Sequence, residues 1–226
     1  MAGYESMERD NFILIDKPPD WTSFDVVKKV RNIGRFKKVG HAGTLDPFAT
    51  GLLVLGTDAC TRGLQAFSDS DKAYEGVIVF GEERDTYDVT GKPVMSTDIK
   101  NVDADLIEQK MAGLIGESEQ IPPMFSAKKI DGQRLYKLAR KGMVVERNPR
   151  RIYISEFNLK SVTANTADFY VACSKGTYVR SLAHDIGRMC GYGAYLKELR
   201  RVSINGYRVD DALTIDEFEH FWSALN

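Results

Sequence analysis

One stretch of this chain, Val39-Gly40-His41-Ala42-Gly43-Thr44-Leu45-Asp46-Pro47-Phe48-Ala49-Thr50-Gly51-Leu52-Leu53, constrains the fold more than any other. Gly40, Gly43 and Gly51 admit turns and close backbone approach, while Pro47 fixes its own φ and biases Asp46 toward an extended conformation. Leu52-Leu53-Val54-Leu55-Gly56 follows as an uninterrupted apolar run, the pattern of a buried strand. The chain must therefore place an irregular loop at the entrance of a buried strand, with one carboxylate, Asp46, inside it. Two readings stay open on these residues. In one the loop is a structural connection and Asp46 bonds its local backbone; in the other the loop presents Asp46 to a ligand. A Walker-type phosphate loop is excluded, because G-x-x-x-x-G-K-[ST] requires a Lys and none follows these glycines.

The flanking sequence reads as interspersed strands and helices. Phe12-Ile13-Leu14-Ile15 is a strand, and Thr22 or Ser23 caps a helix through about Ile33 with Phe24, Val27 and Val30 apolar. A short helix falls near 62–67 and a β-branched, aromatic strand at 73–81, followed by an acidic loop or hairpin at 82–96. Asp103 caps a helix to about Leu114, and 132–142 contains another. Strands are expected at 151–161 and 167–174, a helix at 178–190, an extended segment at 194–204 and a terminal helix at 215–221. Strands and helices do not alternate regularly, so the fold class is α+β with a mixed sheet rather than a doubly wound parallel one.

The 226 residues suffice for one domain with a sizeable core. No basic, apolar and cleavage-site sequence opens the chain, and no apolar run approaches the roughly 20 residues that span a bilayer. An intracellular, cytoplasmic protein is expected. Cys60, Cys173 and Cys190 are odd in number and widely spaced, which suggests neither a disulfide framework nor a zinc site. The net charge of −1 hides segregation along the chain. Lys28, Lys29, Arg31, Arg35, Lys37 and Lys38 precede the glycine loop without an intervening acid, and a second basic stretch runs from Lys128 to Arg151. Each is either a solvated surface or, if on the face that carries Asp46, a footprint for a phosphate backbone.

The glycine run resembles the G-H-x-G-T-L-D-P signature of the TruB family of pseudouridine synthases, which isomerise uridine 55 in the T loop of transfer RNA. Further segments match that family in its own order from about Phe12 to Ser203: Asp16-Lys17-Pro18-Pro19-Asp20-Trp21-Thr22-Ser23, Asp71-Lys72-Ala73-Tyr74, Gln120-Ile121-Pro122-Pro123-Met124-Phe125-Ser126, Cys173-Ser174-Lys175-Gly176-Thr177-Tyr178-Val179-Arg180 and Gly191 to Arg201. One residue departs, since Asp20 stands where the family has Gly. If that position takes a positive φ, Asp is among the residues that tolerate it.

The resemblance implies a pseudouridine synthase fold occupying 1–226 as a single catalytic domain, with its core at about 11–205 and no separate C-terminal RNA-binding domain. It implies that Asp46 is the nucleophile, that Arg180 is the cation paired with it, and that Tyr74 stacks on the flipped base or accepts a proton. His41 fills the space the base vacates, and Leu199 forms an apolar wall of the uracil pocket. Lys17 supports the active-site loop or contacts phosphate, and Lys128, Arg140 and Arg150 contact the RNA backbone. Breaking C1′–N1 and joining C5 to C1′ calls for a carboxylate at the sugar or base and for no metal or redox cofactor. The partner is the T arm of tRNA and the expected state a monomer. An RNA-binding or RNA-folding factor with secondary catalysis is the alternative. An Asp-nucleophile phosphohydrolase is excluded, because Leu45-Asp46-Pro47-Phe48-Ala49 supplies no D-x-D-x-T pattern.

Overall fold

A computed structural model describes residues 12–126, 129–130, 132–139, 141–143 and 145–225. In chain order the strands are β1 (Phe12–Lys17), β2 (Val39–Ala42), β3 (Thr50–Thr57), β4 (Lys72–Phe80), β5 (Glu82–Arg84), β6 (Pro93–Ser96), β7 (Gly116–Gln120), β8 (Lys129–Ile130), β9 (Gln133–Arg134), β10 (Arg150–Thr163), β11 (Thr166–Cys173), β12 (Ala194–Ile204) and β13 (Tyr207–Arg208). The helices are α1 (Ser23–Gly34), α2 (Leu64–Asp69), α3 (Ala104–Ala112), α4 (Leu135–Ala139), α5 (Val179–Met189) and α6 (Ile215–Leu225). This is an α+β protein. It divides into two compact units, one made of residues up to Glu75 together with Leu199 onward, the other of Gly76–Glu198.

In the first unit β3 is the central strand. It pairs antiparallel with β1, from Phe12 opposite Gly56 to Lys17 opposite Gly51, antiparallel with β2, and parallel with β12 through Arg200 and Arg201. Its apolar run is buried on both faces. Leu53 and Leu55 join Ile13 and Ile15 of β1 against Val26, Val27 and Val30 of α1 and Ile215 and Phe218 of α6. Leu52 and Val54 pack with Leu14, Ala42, Leu64, Phe67, Ile204 and Val209 on the opposite face. A strand covered twice has no need of polar alternation, which is why this segment reads as continuously apolar. Helix α1 starts where Thr22 and Asp25 form a capping box, Thr22 Oγ1 accepting from the Asp25 amide at 3.1 Å and Asp25 Oδ2 from the Thr22 amide at 2.9 Å. Such caps are worth about 1 kcal/mol.

In the second unit the strand order is β12, β4, β11, β10, β7. β10 and β11 form a long antiparallel hairpin closed between Thr163 and Thr166. The acidic stretch is a hairpin, β5 against β6. Asp103 caps α3, its Oδ1 accepting from the Leu106 amide at 3.1 Å. Among the described residues no helix is long and apolar enough to cross a membrane.

Several strands depart from the sequence reading, β2 and β7 most clearly. β2 contains Gly40 and His41 and has no apolar pattern; it forms because the edge of β3 offers it partners. β7, Gly-Glu-Ser-Glu-Gln, lies along β10 with Glu119 opposite Arg151; its two Glu residues are exposed, and its last residue, Gln120, is buried and bonded through its amide to the Tyr178 backbone. The helix expected within 132–142 contracts to Leu135–Ala139, preceded by the β8–β9 hairpin.

Candidate active site

The loop from Gly43 to Ala49 leaves β2 and enters β3 in the first unit. Three buried polar side chains hold its main chain. Lys17, at the end of β1 and 0% exposed, donates from Nζ to the carbonyls of Pro47 (3.0 Å), Pro18 (2.9 Å) and Trp21 (2.6 Å). Ser23, in the first turn of α1, accepts from the Leu45 amide at 3.0 Å and donates to the Leu45 carbonyl at 3.3 Å. Arg201 of β12, 1% exposed, donates from Nη2 to the Gly43 carbonyl at 3.0 Å and from Nε to the Leu52 carbonyl at 2.7 Å. Between these anchors Asp46 begins a tight turn in which the Ala49 amide donates to the Asp46 carbonyl at 3.1 Å.

The glycines have specific tasks. Gly43 adopts φ +68°, and a Cβ there would stand 3.1 Å from Arg201 Nη1 and 3.3 Å from Lys72 Cε. Gly51 adopts φ +100°, and its Cβ would fall 2.3 Å from the Arg201 carbonyl oxygen, where β3 and β12 run side by side. Asp20 has φ +63°, a left-handed conformation that Asp tolerates better than most side chains.

The electrostatics follow from burial. Desolvation pushes the Lys17 ammonium down to about 8, opposed by the carboxylates of Asp20, Asp46 and Asp25. Burial also pushes the Arg201 guanidinium down, offset by its hydrogen bond to the Tyr74 side chain. Tyr74 on β4 is 8% exposed, so its phenol is held by a buried cation. Burial and the Arg201 charge lower the pKa of His41, whose Nδ1 is buried without a hydrogen-bond partner. A neutral imidazole results at pH 7. Leu199 lies two residues from Arg201 on β12 and is also buried.

Asp46, Lys17, His41, Tyr74 and Leu199 thus all belong to the first unit, with Arg201, Ser23 and Lys72 beside them. Arg180 belongs to the second. It opens α5 and is 5% exposed, with Nη1 3.2 Å from Asp88 Oδ2 and Nη2 donating to the Phe125 carbonyl at 2.7 Å. Arg150 is exposed at the start of β10 in that unit, and Lys128 and Arg140 lie outside the described residues. For Lys17, the buried ammonium donates to the carbonyls of Pro18, Trp21 and Pro47, of which Pro47 lies in the Asp46 loop.

Sequence reasoning missed Arg201, Ser23 and Asp88. Arg201 had a signal: it shares a strand face with Leu199, and a charge at an apolar position of a buried strand needs internal partners. Asp88 had none, because it sits in an acidic run that reads as solvated.

The TruB family pseudouridylate synthase N-terminal domain matches residues 31–179, and the tRNA pseudouridylate synthase B C-terminal domain matches residues 180–225. The chain is 45% identical over 210 residues to tRNA pseudouridine synthase B of Solibacter usitatus, covering 93% of this chain and 72% of that protein. It is 44% identical over 212 residues to the protein of the same name from Opitutus terrae, covering 94% and 88%. The chain belongs to the TruB family of pseudouridine synthases. Its fold matches a chain of the solved Cbf5–Nop10–Gar1 complex with a TM-score of 0.73 at 29% identity, covering 94% of this chain and 55% of that one.

Proposed function

We propose that Asp46 is the carboxylate with which this tRNA pseudouridine synthase isomerises uridine 55 of the T loop, once the base has been flipped out of its stack. The observation that carries this reading is the anchoring of the Asp46 loop at Gly43, Leu45 and Pro47 by buried side chains. A loop fixed on both sides of one residue presents that residue in a single geometry before substrate arrives, which lowers the barrier more than a mobile carboxylate could.

In the reaction the C1′–N1 bond breaks, a C5–C1′ bond forms, C5 loses a proton and N1 gains one. Product and substrate are isomers. The Asp46 carboxylate engages the nucleoside while C1′–N1 is open. The Tyr74 ring stacks on the uracil, with its hydroxyl oriented by Arg201 to accept a proton. Neutral His41 fills the gap left by the flipped base, Leu199 closes the pocket on its apolar side, and Arg180 supplies the cation that keeps a carboxylate ionised in a closed site. Lys128, Arg140 and Arg150 bind phosphates of the T arm. The chain serves as a single catalytic domain, as the family match across residues 31–225 supports. The enzyme acts as a monomer in the cytoplasm, where its tRNA substrate resides.

The test is incubation with a T-arm stem-loop and its uridine-to-cytidine variant, followed by mapping of pseudouridine. Product should appear only in the uridine-bearing loop. Asp46→Asn should lower turnover by at least roughly 10³-fold with RNA affinity nearly unchanged. Near-normal turnover by that variant overturns the assignment.

A further inference from the structure

Within the second unit, three side chains of α5 recur every fourth residue and share one helical face: Arg180, His184 and Arg188. Each meets a different residue of the β5–β6 hairpin. Arg180 Nη1 lies 3.2 Å from Asp88 Oδ2. The His184 imidazole stacks on the Tyr87 ring, centroids 3.9 Å apart and planes 15° from parallel. Arg188 donates from Nε and Nη2 to the two carboxylate oxygens of Glu83, both at 3.0 Å.

These contacts differ in how firmly they can hold. The Arg188 side chain is 66% exposed, so its pair with Glu83 is screened by solvent. The His184 side chain is 7% exposed, and its ring is also bonded to the Ala194 backbone. Its Nδ1 is buried without a hydrogen-bond partner, 4.0 Å from Glu83 Oε2. Burial, reinforced by the Arg188 charge and opposed by Glu83, holds the imidazole below its usual pKa. A neutral ring suits a face-to-face stack, because a desolvated imidazolium would require a closer anion.

The stacked residue also sets the direction of its neighbour. Tyr87 has φ +66°, a conformation rare for residues with side chains. Its amide donates to the Arg84 carbonyl at 3.0 Å, its carbonyl accepts from the Leu196 amide at 3.0 Å, and the Val89 amide donates to the Leu196 carbonyl at 2.9 Å. The turn held this way directs Asp88. Oδ1 of Asp88 accepts from Thr86 Oγ1 (2.8 Å), the Thr90 amide (2.9 Å) and Thr90 Oγ1 (2.5 Å), which leaves Oδ2 toward Arg180.

We propose that Tyr87 and His184 are positioning residues for Arg180: their stack locks the hairpin to α5 one helical turn from the guanidinium and fixes the direction in which Asp88 holds it. This rests on the reading that Arg180 takes part in catalysis. It implies that the stack acts on turnover through Arg180 and not through RNA affinity.

The experiment measures single-turnover rate and RNA affinity on the T-arm stem-loop for the full chain and for Tyr87→Ala, Tyr87→Phe, His184→Ala, Arg180→Lys and the double variant His184→Ala/Arg180→Lys. Tyr87→Ala and His184→Ala should each slow the reaction about tenfold with affinity within about twofold. Tyr87→Phe, which keeps the stacked ring, should recover at least about half of the rate. In the Arg180→Lys background, His184→Ala should add less than about twofold, since residues acting through one group are not additive. A full tenfold loss in both backgrounds, or a Tyr87→Phe rate as low as that of Tyr87→Ala, overturns the proposal. A wild-type rate for Arg180→Lys alone instead overturns the role given to Arg180.

Discussion

The Gly43–Ala49 loop of the first unit and the β5–β6 hairpin of the second each carry one conspicuous carboxylate, Asp46 and Asp88, and their anchors grip different atoms. Around Asp46 the anchors grip main chain: Lys17, Ser23 and Arg201 bond the backbone of Pro47, Leu45 and Gly43. At Asp88 the anchors grip the carboxylate, with Thr86 and Thr90 on Oδ1 and Arg180 on Oδ2. Main-chain anchors fix the backbone from which the Asp46 side chain starts, whereas the Asp88 carboxylate is itself fixed by hydrogen bonds to both of its oxygens.

The largest effect should come from breaking the backbone anchors. Lys17→Met keeps the side-chain volume but removes the donor to three carbonyls, and is expected to cost about 2–4 kcal/mol of stability together with most of the turnover. Denaturant unfolding and pseudouridine mapping at a temperature where the variant is folded would check this. A variant as stable as the parent would mean that the buried ammonium costs as much in desolvation as its bonds return.

A smaller effect sharpens the α5 side of the comparison. Burial pushes the Asp185 carboxyl up to about 6, partly offset by Arg188. A folded-state pKa above the unfolded value of 3.8 means that stability is greatest below about pH 4 and is lost as pH rises through about 6. Asp185→Asn should therefore be more stable than the parent by about 1 kcal/mol at pH 7, discounted for partial exposure, and nearly equal to it at pH 4. Unfolding curves at the two pH values decide this, and a difference independent of pH would refute it.

The smallest effect concerns the residue that precedes the Trp21 anchor. Asp20→Gly removes a side chain from a φ of +63° but loosens the unfolded chain, so the net change should stay below about 1 kcal/mol with turnover unaltered. A loss of turnover would show that the Asp20 carboxylate, which favours the charged form of Lys17, helps hold the Asp46 loop.

Most of the fold was legible where the signal is local. The Leu52–Gly56 run, the Thr22 and Asp103 caps and the amphipathic 178–190 segment each carry their own pattern and became β3, α1, α3 and α5. β2 and β7 were not legible, because their residues show no burial period and their pairing depends on the exposed edges of β3 and β10. The same divide runs through the site. The loop around Asp46 was legible from its glycines and proline, while a role for Asp46 itself came only from the family resemblance. Arg201 was legible only through its place on an apolar strand face, and Asp88 not at all, because a charged residue reads as solvated until its partners are known.

Read as sequence, the chain already carries the α+β class and the loop that holds Asp46. These follow from short-range pattern: glycines where φ must be positive, a proline that stiffens the turn, and apolar runs long enough to be strands. Folding brings Lys17 and Arg201 to that loop as internal anchors and sets Arg180, His184 and Arg188 of α5 against the β5–β6 hairpin. Such partners lie far apart in the chain, and the desolvation that makes a buried cation bond to a carbonyl does not exist until folding has closed water out.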